Sequence, residues 1–348
     1  MPIGVTFRAY ARVEVMDIIL AKPRGFCAGV DRAVDIVELA LELYGPPVYM
    51  KHEIVHNTHV VDRLVAKGAV FVEELATVPE GAVTVFSAHG VPPSLRQEAA
   101  QRKLRVIDAT CPLVTRVHLE AARFAREGYE ILLVGHRGHV EMVGTMGEAP
   151  AVTTLVSSVG EARSVVVKNP EKVVALSQTT LSIDDVSQIM AALKARFPKL
   201  TFPPKGDICY ATTNRQTAVR ELAKLTQVIL VVGSPSSSNA NRLREVAASA
   251  GAQAYMVNGP EEIQRDWFTN TKSVGVTSGA STPEDVFDAV VSRVQAFNGG
   301  QSQQHASLLE DVWFVLPPNL VAEAKEKNVG TAIIQKHAIH KATKMRVK

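Results

Sequence analysis

Only three cysteines, no long apolar stretch and little net charge mark this 348-residue sequence, and each shortage narrows what the chain can be. Cys27, Cys111 and Cys209 are odd in number and widely spread, which argues against a disulfide framework. They are left as inert core thiols, a nucleophile or metal ligands. For one isolated cysteine the inert reading is the default, because free cysteine is among the most buried residue types. Apolar runs such as Val228 to Val232 fall far short of the roughly 18 residues a membrane-crossing helix needs. Met1 to Val15 has scattered arginines but no apolar block leading to a small-residue cleavage site, so no secretory signal is expected and a cytoplasmic protein is. A net charge of +3 gives no reason to expect nucleic acid as a partner, and no membrane partner is expected either. The surplus is local: from Ala322 to Lys348 seven Lys and Arg oppose two Glu. That basic tail reads as a solvated or loosely helical end, with no chemistry assigned to it.

What the chain does contain is an ordinary globular composition, 46% apolar and 21% charged, at a length that suits two or three domains. Within it a pattern occurs three times. Cys27 precedes an amphipathic segment, Asp31 to Tyr44, with Val34, Val37 and Leu41 on one face and Gly45 as its stop. The β-rich run Val106 to Asp108 leads to Cys111, and Pro112 opens a helix carrying Val114, Val117, Ala121 and Phe124. Cys209 passes into a third helix with Ala218, Leu222 and Leu225 in register.

A strand exit follows each cysteine at near-constant distance. His56-Asn57 stands to Cys27 as His139-Val140-Glu141 stands to Cys111 and as Ser237-Ser238-Asn239 stands to Cys209, the three offsets agreeing to within one position. A further strand then ends at His89-Gly90, at Gln178-Thr179-Thr180 and at Ser278 to Ser281, each with a helix after it. Strands alternating with helices make parallel βαβ units, whose ligands gather at the carboxyl ends of the strands. The expected fold is α/β: three similar βαβ units with parallel sheets, arranged pseudo-threefold around a central cavity. The expected boundaries are 17–104, 105–204 and 205–298, one cysteine in each, followed by a C-terminal segment 299–348.

Three thiolates held together repel unless a cation neutralises them, so a metal is the natural occupant. Zinc with mixed ligands and an iron-sulfur cluster both remain open. A 4Fe-4S cluster ordinarily has four cysteines; with three, one iron is left for a substrate oxygen. His56, His89, His139, Ser237, Asn239 and Ser281 offer donors suited to a phosphate or diphosphate, helped by helix N-termini. Glu141 is the carboxylate within these clusters and is placed to relay protons. Thr179 and Thr180 read equally well as helix-capping hydroxyls.

At these residues the sequence closely resembles the 4-hydroxy-3-methylbut-2-enyl diphosphate reductase family. The resemblance is carried by PRGFCAGVDRA, EIVHN, FSAHGV, DATCPLVT, GHRGHVE, SQTTLS, DICYATTNRQ, GSPSSSNANRL and TSGASTPE, in that order between about Ile18 and Pro317. It implies a 4Fe-4S cluster on Cys27, Cys111 and Cys209, with the fourth iron not bound by cysteine, and an allylic diphosphate as substrate. Two electrons and two protons would remove the substrate's hydroxyl as water, giving isopentenyl and dimethylallyl diphosphate. The diphosphate would lie against His56, His89, His139, Ser237, Ser238, Asn239 and Ser281, with Glu141 and Thr179 in the proton relay. Electrons would come from a ferredoxin or flavodoxin. Val140 and Val143 depart from the family's usual proline and polar residue. A regulatory iron-sulfur module and a zinc-dependent phosphohydrolase are the readings kept beside this one.

Overall fold

The computed structural model describes residues 15–298 and 300–346. The stretch expected to lack a secretory signal lies, apart from Val15, outside the described residues, as do the basic side chains from Lys341 onward.

In chain order the elements are β1 (Asp17–Lys22), α1 (Ala28–Tyr44), β2 (Val48–Lys51), α2 (Thr58–Ala66), β3 (Ala69–Val72), β4 (Val83–Phe86), α3 (Pro93–Gln101) and β5 (Arg105–Asp108). Next come α4 (Pro112–Arg126), β6 (Glu130–Val134), α5 (Val140–Glu148), β7 (Thr153–Val156), α6 (Val159–Ser164), β8 (Val173–Ser177) and α7 (Ile183–Arg196). The last are α8 (Tyr210–Leu225), β9 (Val228–Val232), α9 (Ser238–Ser249), β10 (Gln253–Val257), β11 (Ser273–Ser278), α10 (Glu284–Asn298), β12 (Ser302–Ala306), α11 (Pro318–Glu326) and α12 (Thr331–Arg346). Among the described residues they form three sheets, ordered β3-β2-β4-β5, β7-β6-β8 and β10-β9-β11-β1-β12, and each pairing within them is parallel. Helices cover the sheet faces, which is why β8 and β9 read as unbroken runs of buried residues rather than alternating ones. The three-unit α/β architecture expected from the repeat is present.

Strand pairing divides the chain differently from the boundaries drawn at 17, 105 and 205. β1 lies before Cys27 yet pairs β11 and β12, in register Leu20 with Val276. β5 lies before Cys111 yet pairs β4. The segment before Cys209 bridges back to β8 through Thr201 and Val174, while α8 packs on β1, β9 and β11. Each cysteine therefore stands where the chain leaves one sheet for the helix of the next unit. A local pattern marks a strand but does not select its partners, which packing against distant segments decides.

Other expectations shift for equally local reasons. α1 starts at Ala28, three residues before Asp31, because Cys27 takes the extended N-cap conformation. Leu225 ends α8 46% exposed instead of facing the core. The tail is not a solvated end over its described part: Leu320, Ala324 and Ile333 join the core beneath α1, and Lys336 pairs with Asp31 and Asp35.

Candidate active site

One cavity collects residues from all three units and from the C-terminal segment. Its lining includes Cys27, Cys111, Cys209, His56, His89, His139, Glu141, Thr179, Ser237, Ser238, Asn239 and Ser281, the whole expected set. The space open to water-sized contents is about 110 Å³, several times the roughly 10–15 Å³ that one water needs. The cavity is sized for a multi-atom occupant.

Helix starts converge on it. Cys27, Cys111 and Cys209 are the N-caps of α1, α4 and α8, His139 caps α5 and Ser237 caps α9. Each such start carries first-turn backbone N–H groups that lack a partner within the helix, together with the positive end of the helix dipole, and both favour anions. The sulfurs are close neighbours. A methyl at Gly29 would stand 2.7 Å from the Cys111 sulfur and 3.8 Å from that of Cys27, so both sulfurs reach the same small space beside α1. Burial pushes the Cys111 thiol up to about 12 and the Cys209 thiol to about 11, and in both the Cys27 sulfur adds to the rise. Neutral thiols of this kind need a positively charged partner to become ligands. Single-zinc chemistry asks for three or four ligands around one point about 2.0–2.3 Å away. Among the described residues no group of three or more His, Cys, Asp or Glu stands close enough to hold a metal ion of any kind without rearrangement.

The same lining also carries imidazoles, hydroxyls and an amide. His56 stacks on His89 with ring centres 4.2 Å apart, and His139 meets both edge-on at 5.4 and 5.9 Å. Burial, then the neighbouring histidines, drives His89 well below its ordinary value, and the same causes hold His139 at about 4. Both are neutral at pH 7. The Glu141 amide donates to Nδ1 of His139 at 3.2 Å, so the neutral ring carries its proton on Nε2. Asn239 accepts from the Ala280 amide through Oδ1, while its buried Nδ2 has no hydrogen-bond partner among the described residues. A buried donor left open costs stability unless a ligand completes it. Thr180 donates to Ser238 across the seam between two units, and Ser281 donates to the His56 carbonyl.

Glu141 sits in the first turn of α5 and is 2% exposed. The Thr179 amide donates to its Oε1 at 2.7 Å and the Thr179 hydroxyl to Oε2 at 3.1 Å. Burial outweighs these two bonds, which favour the charged form, and raises the carboxyl to about 7. At neutral pH it is both a proton donor and, once emptied, a base.

The "LytB protein" family model matches residues 18–295. The chain belongs to the LytB family. Among its relatives, the "4-hydroxy-3-methylbut-2-enyl diphosphate reductase" of Neisseria meningitidis is 55% identical over 311 residues, 89% of this chain and 97% of that protein. The protein of the same name from Haemophilus influenzae is 49% identical over 88% of this chain and 98% of its own length. The solved structure of the "E-1-hydroxy-2-methyl-but-2-enyl-4-diphosphate reductase from Plasmodium falciparum" aligns with a TM-score of 0.87 at 40% identity, covering 90% of this chain and 99% of that one.

Against the family's usual pattern, Val140 occupies the first position of α5, where proline is favoured. The helix starts there all the same because His139 caps it, and Glu141 keeps both bonds to Thr179. Val143 is exposed and away from the carboxylate's partners. Among the lining residues that escaped the sequence reading, three stand out. Tyr210 receives the Ala28 amide on its hydroxyl, Thr212 contacts the Cys209 sulfur at 3.2 Å, and Phe314 joins the lining from the C-terminal segment. Adjacency to Cys209 was a usable signal for the first two. Nothing local distinguishes Phe314.

Proposed function

We propose that this chain is a 4-hydroxy-3-methylbut-2-enyl diphosphate reductase, an oxidoreductase that removes the allylic hydroxyl of its substrate as water. Two electrons and two protons are consumed, and isopentenyl and dimethylallyl diphosphate are formed. The observation that carries the reading is one cavity lined together by three helix-capping cysteines, phosphate-type donors and a carboxyl group half protonated near pH 7. The shared name of relatives at 49–55% identity, spanning nearly the same length, supports it.

Cys27, Cys111 and Cys209 are assigned to a 4Fe-4S cluster. The donor set fits: three thiols and no fourth cysteine, helix N-termini behind each sulfur, and a glycine at 29 where a methyl would intrude on the Cys111 sulfur. When bound, such a cluster supplies electrons and an iron without a cysteine ligand that polarises the leaving hydroxyl. His56, His89, His139, Ser237, Ser238, Asn239 and Ser281 hold the diphosphate. The neutral rings of His89 and His139 serve as hydrogen-bond partners rather than cations, and the open amide of Asn239 adds a donor. Val55, Ala88, Val114, Ala211 and Phe314 enclose the carbon skeleton and exclude water. Glu141 supplies protons through the Thr179 hydroxyl, to which it is already bonded. A ferredoxin or flavodoxin delivers the electrons, and the reaction takes place in the cytoplasm. Among the described residues no helix is long and apolar enough to cross a membrane.

A zinc phosphohydrolase would need no reductant, and a regulatory module has no use for a protonated carboxyl beside phosphate donors. Anaerobically prepared protein decides among the three. Iron and acid-labile sulfide in equal amounts, with reductant-dependent loss of the substrate hydroxyl, is the expected result. Phosphate release without reductant would overturn the assignment.

A further inference from the structure

Three arginines outside the reaction's roster join the cysteine-bearing segments in a ring. Arg32 lies five residues after Cys27 on α1, and its Nη1 donates to the carbonyls of Ala109 (3.3 Å) and Thr110 (3.2 Å), just before Cys111. Arg116 lies five residues after Cys111 on α4, and its Nη2 donates to the Gly206 carbonyl at 2.7 Å, three residues before Cys209, with Asp207 at 3.8 Å. Arg215 lies six residues after Cys209 on α8, and its Nη2 donates to the carbonyls of Arg24 (3.4 Å) and Gly25 (2.7 Å), ahead of Cys27. The ring runs 27 to 111, 111 to 209 and 209 back to 27. Two of the three also grip the C-terminal strap: Arg32 donates to the Val315 carbonyl and Arg215 to Glu310.

We propose that Arg32, Arg116 and Arg215 are positioning residues that together set the spacing of the three sulfurs, each bracing one cysteine-capped helix against the segment that delivers the next cysteine. The chain topology gives such a device a purpose beyond the backbone bonds from Cys27, Cys111 and Cys209 to Ala280, Ala88 and Thr179. Each cysteine stands where the chain passes from one sheet to the next unit, so no single sheet fixes the distance between any two sulfurs. Backbone carbonyls just ahead of a cysteine are the atoms whose capture locates its sulfur. A planar guanidinium can hold two of them, or a carbonyl and the strap, at fixed angles, whereas an ammonium on a flexible stem cannot. The graded burial sets the rank of the three. Arg215 is 0% exposed, while the side chain of Arg116 retains 29% exposure.

This inference rests on the cluster assignment, and its test separates the two. R32K, R116K and R215K keep the charge and lose the fork. After anaerobic reconstitution the wild type is expected to hold its full iron and sulfide. The lysine variants should hold severalfold less, with a broadened or shifted electron paramagnetic resonance signal in the reduced state, and the losses should rank R215K, R32K, R116K. In the metal-free full-length chain, a short bifunctional thiol reagent should bridge Cys27 and Cys111 readily in the wild type and severalfold more slowly in R32K. R116K, the mildest change, should retain the wild-type circular dichroism spectrum and melting temperature, so its lower iron content cannot be assigned to unfolding. Full iron, an unaltered signal and unaltered bridging in all three variants would overturn the brace. A wild type that binds no iron yet bridges faster than R32K would overturn the cluster and leave the brace standing.

Discussion

Two buried carboxylates flank the end of β8, and they show why a shifted pKa alone does not make a catalytic group. Glu141 receives the amide and hydroxyl of Thr179; Asp207 receives the amide of Ser177, two residues earlier. Burial raises both to about 7. Only Glu141 opens onto the cavity with the cysteines and histidines. Asp207 faces Glu120 and Arg116, where it helps seat the chain ahead of Cys209. Equal electrostatics meet different surroundings, the proposed proton relay at one site and the chain ahead of Cys209 at the other, and the difference is what each carboxyl can reach.

That contrast is broken most sharply by E141Q, which keeps the shape and removes the titratable proton. Turnover should fall about 10²–10⁴-fold with iron content unchanged, measured as anaerobic kcat beside cluster analysis; wild-type turnover would remove Glu141 from the relay. T179V comes next. It deletes the hydroxyl that links Glu141 to the cavity, for a loss of about tenfold or more. It also deletes a bond that favours the ionised carboxyl, so the carboxyl's pKa rises further. Activity of the native protein should decline as pH climbs past about 7, because the protonated donor is depleted there. In T179V that decline should move to higher pH, as read from the kcat profile; an unmoved profile would separate the limb from Glu141.

D207N has the smallest effect on turnover, within about threefold, and should retain the alkaline limb. Its signature is in stability. A carboxyl whose folded pKa is raised from 3.8 to about 7 binds its proton more tightly in the folded state. Its contribution is therefore fully present below about pH 4 and lost as pH rises through about 7. D207N should flatten the fall in melting temperature across that window. A flattened melting profile with abolished turnover would place Asp207 in the chemistry after all.

Much of the site was readable before any coordinates. Side chains at strand exits must recur at a fixed interval when a unit recurs, so the matching offsets of His56 from Cys27, His139 from Cys111 and Ser237 from Cys209 betrayed three copies of one design. The capping role of Cys111 was visible in Pro112, which suits the first helical position. Harder to see were residues whose partners lie far away in the chain. Phe314 lines the cavity because Leu316, Leu320 and Ile333 anchor the segment around it beneath α1. The basic tail looked solvated because the acids that Lys336 meets, Asp31 and Asp35, lie on α1, near the other end of the chain.

Periodicity, caps and spacing by themselves determined the element types, the number of units and the edge on which the polar side chains gather, since those follow from chain-local geometry. Tertiary structure alone decided which sheet each strand joined, that each cysteine falls between units, and that one of two buried carboxyls faces the cavity. Those outcomes depend on burial and on contacts between distant segments, and a residue's sequence neighbours do not encode its distance from another unit.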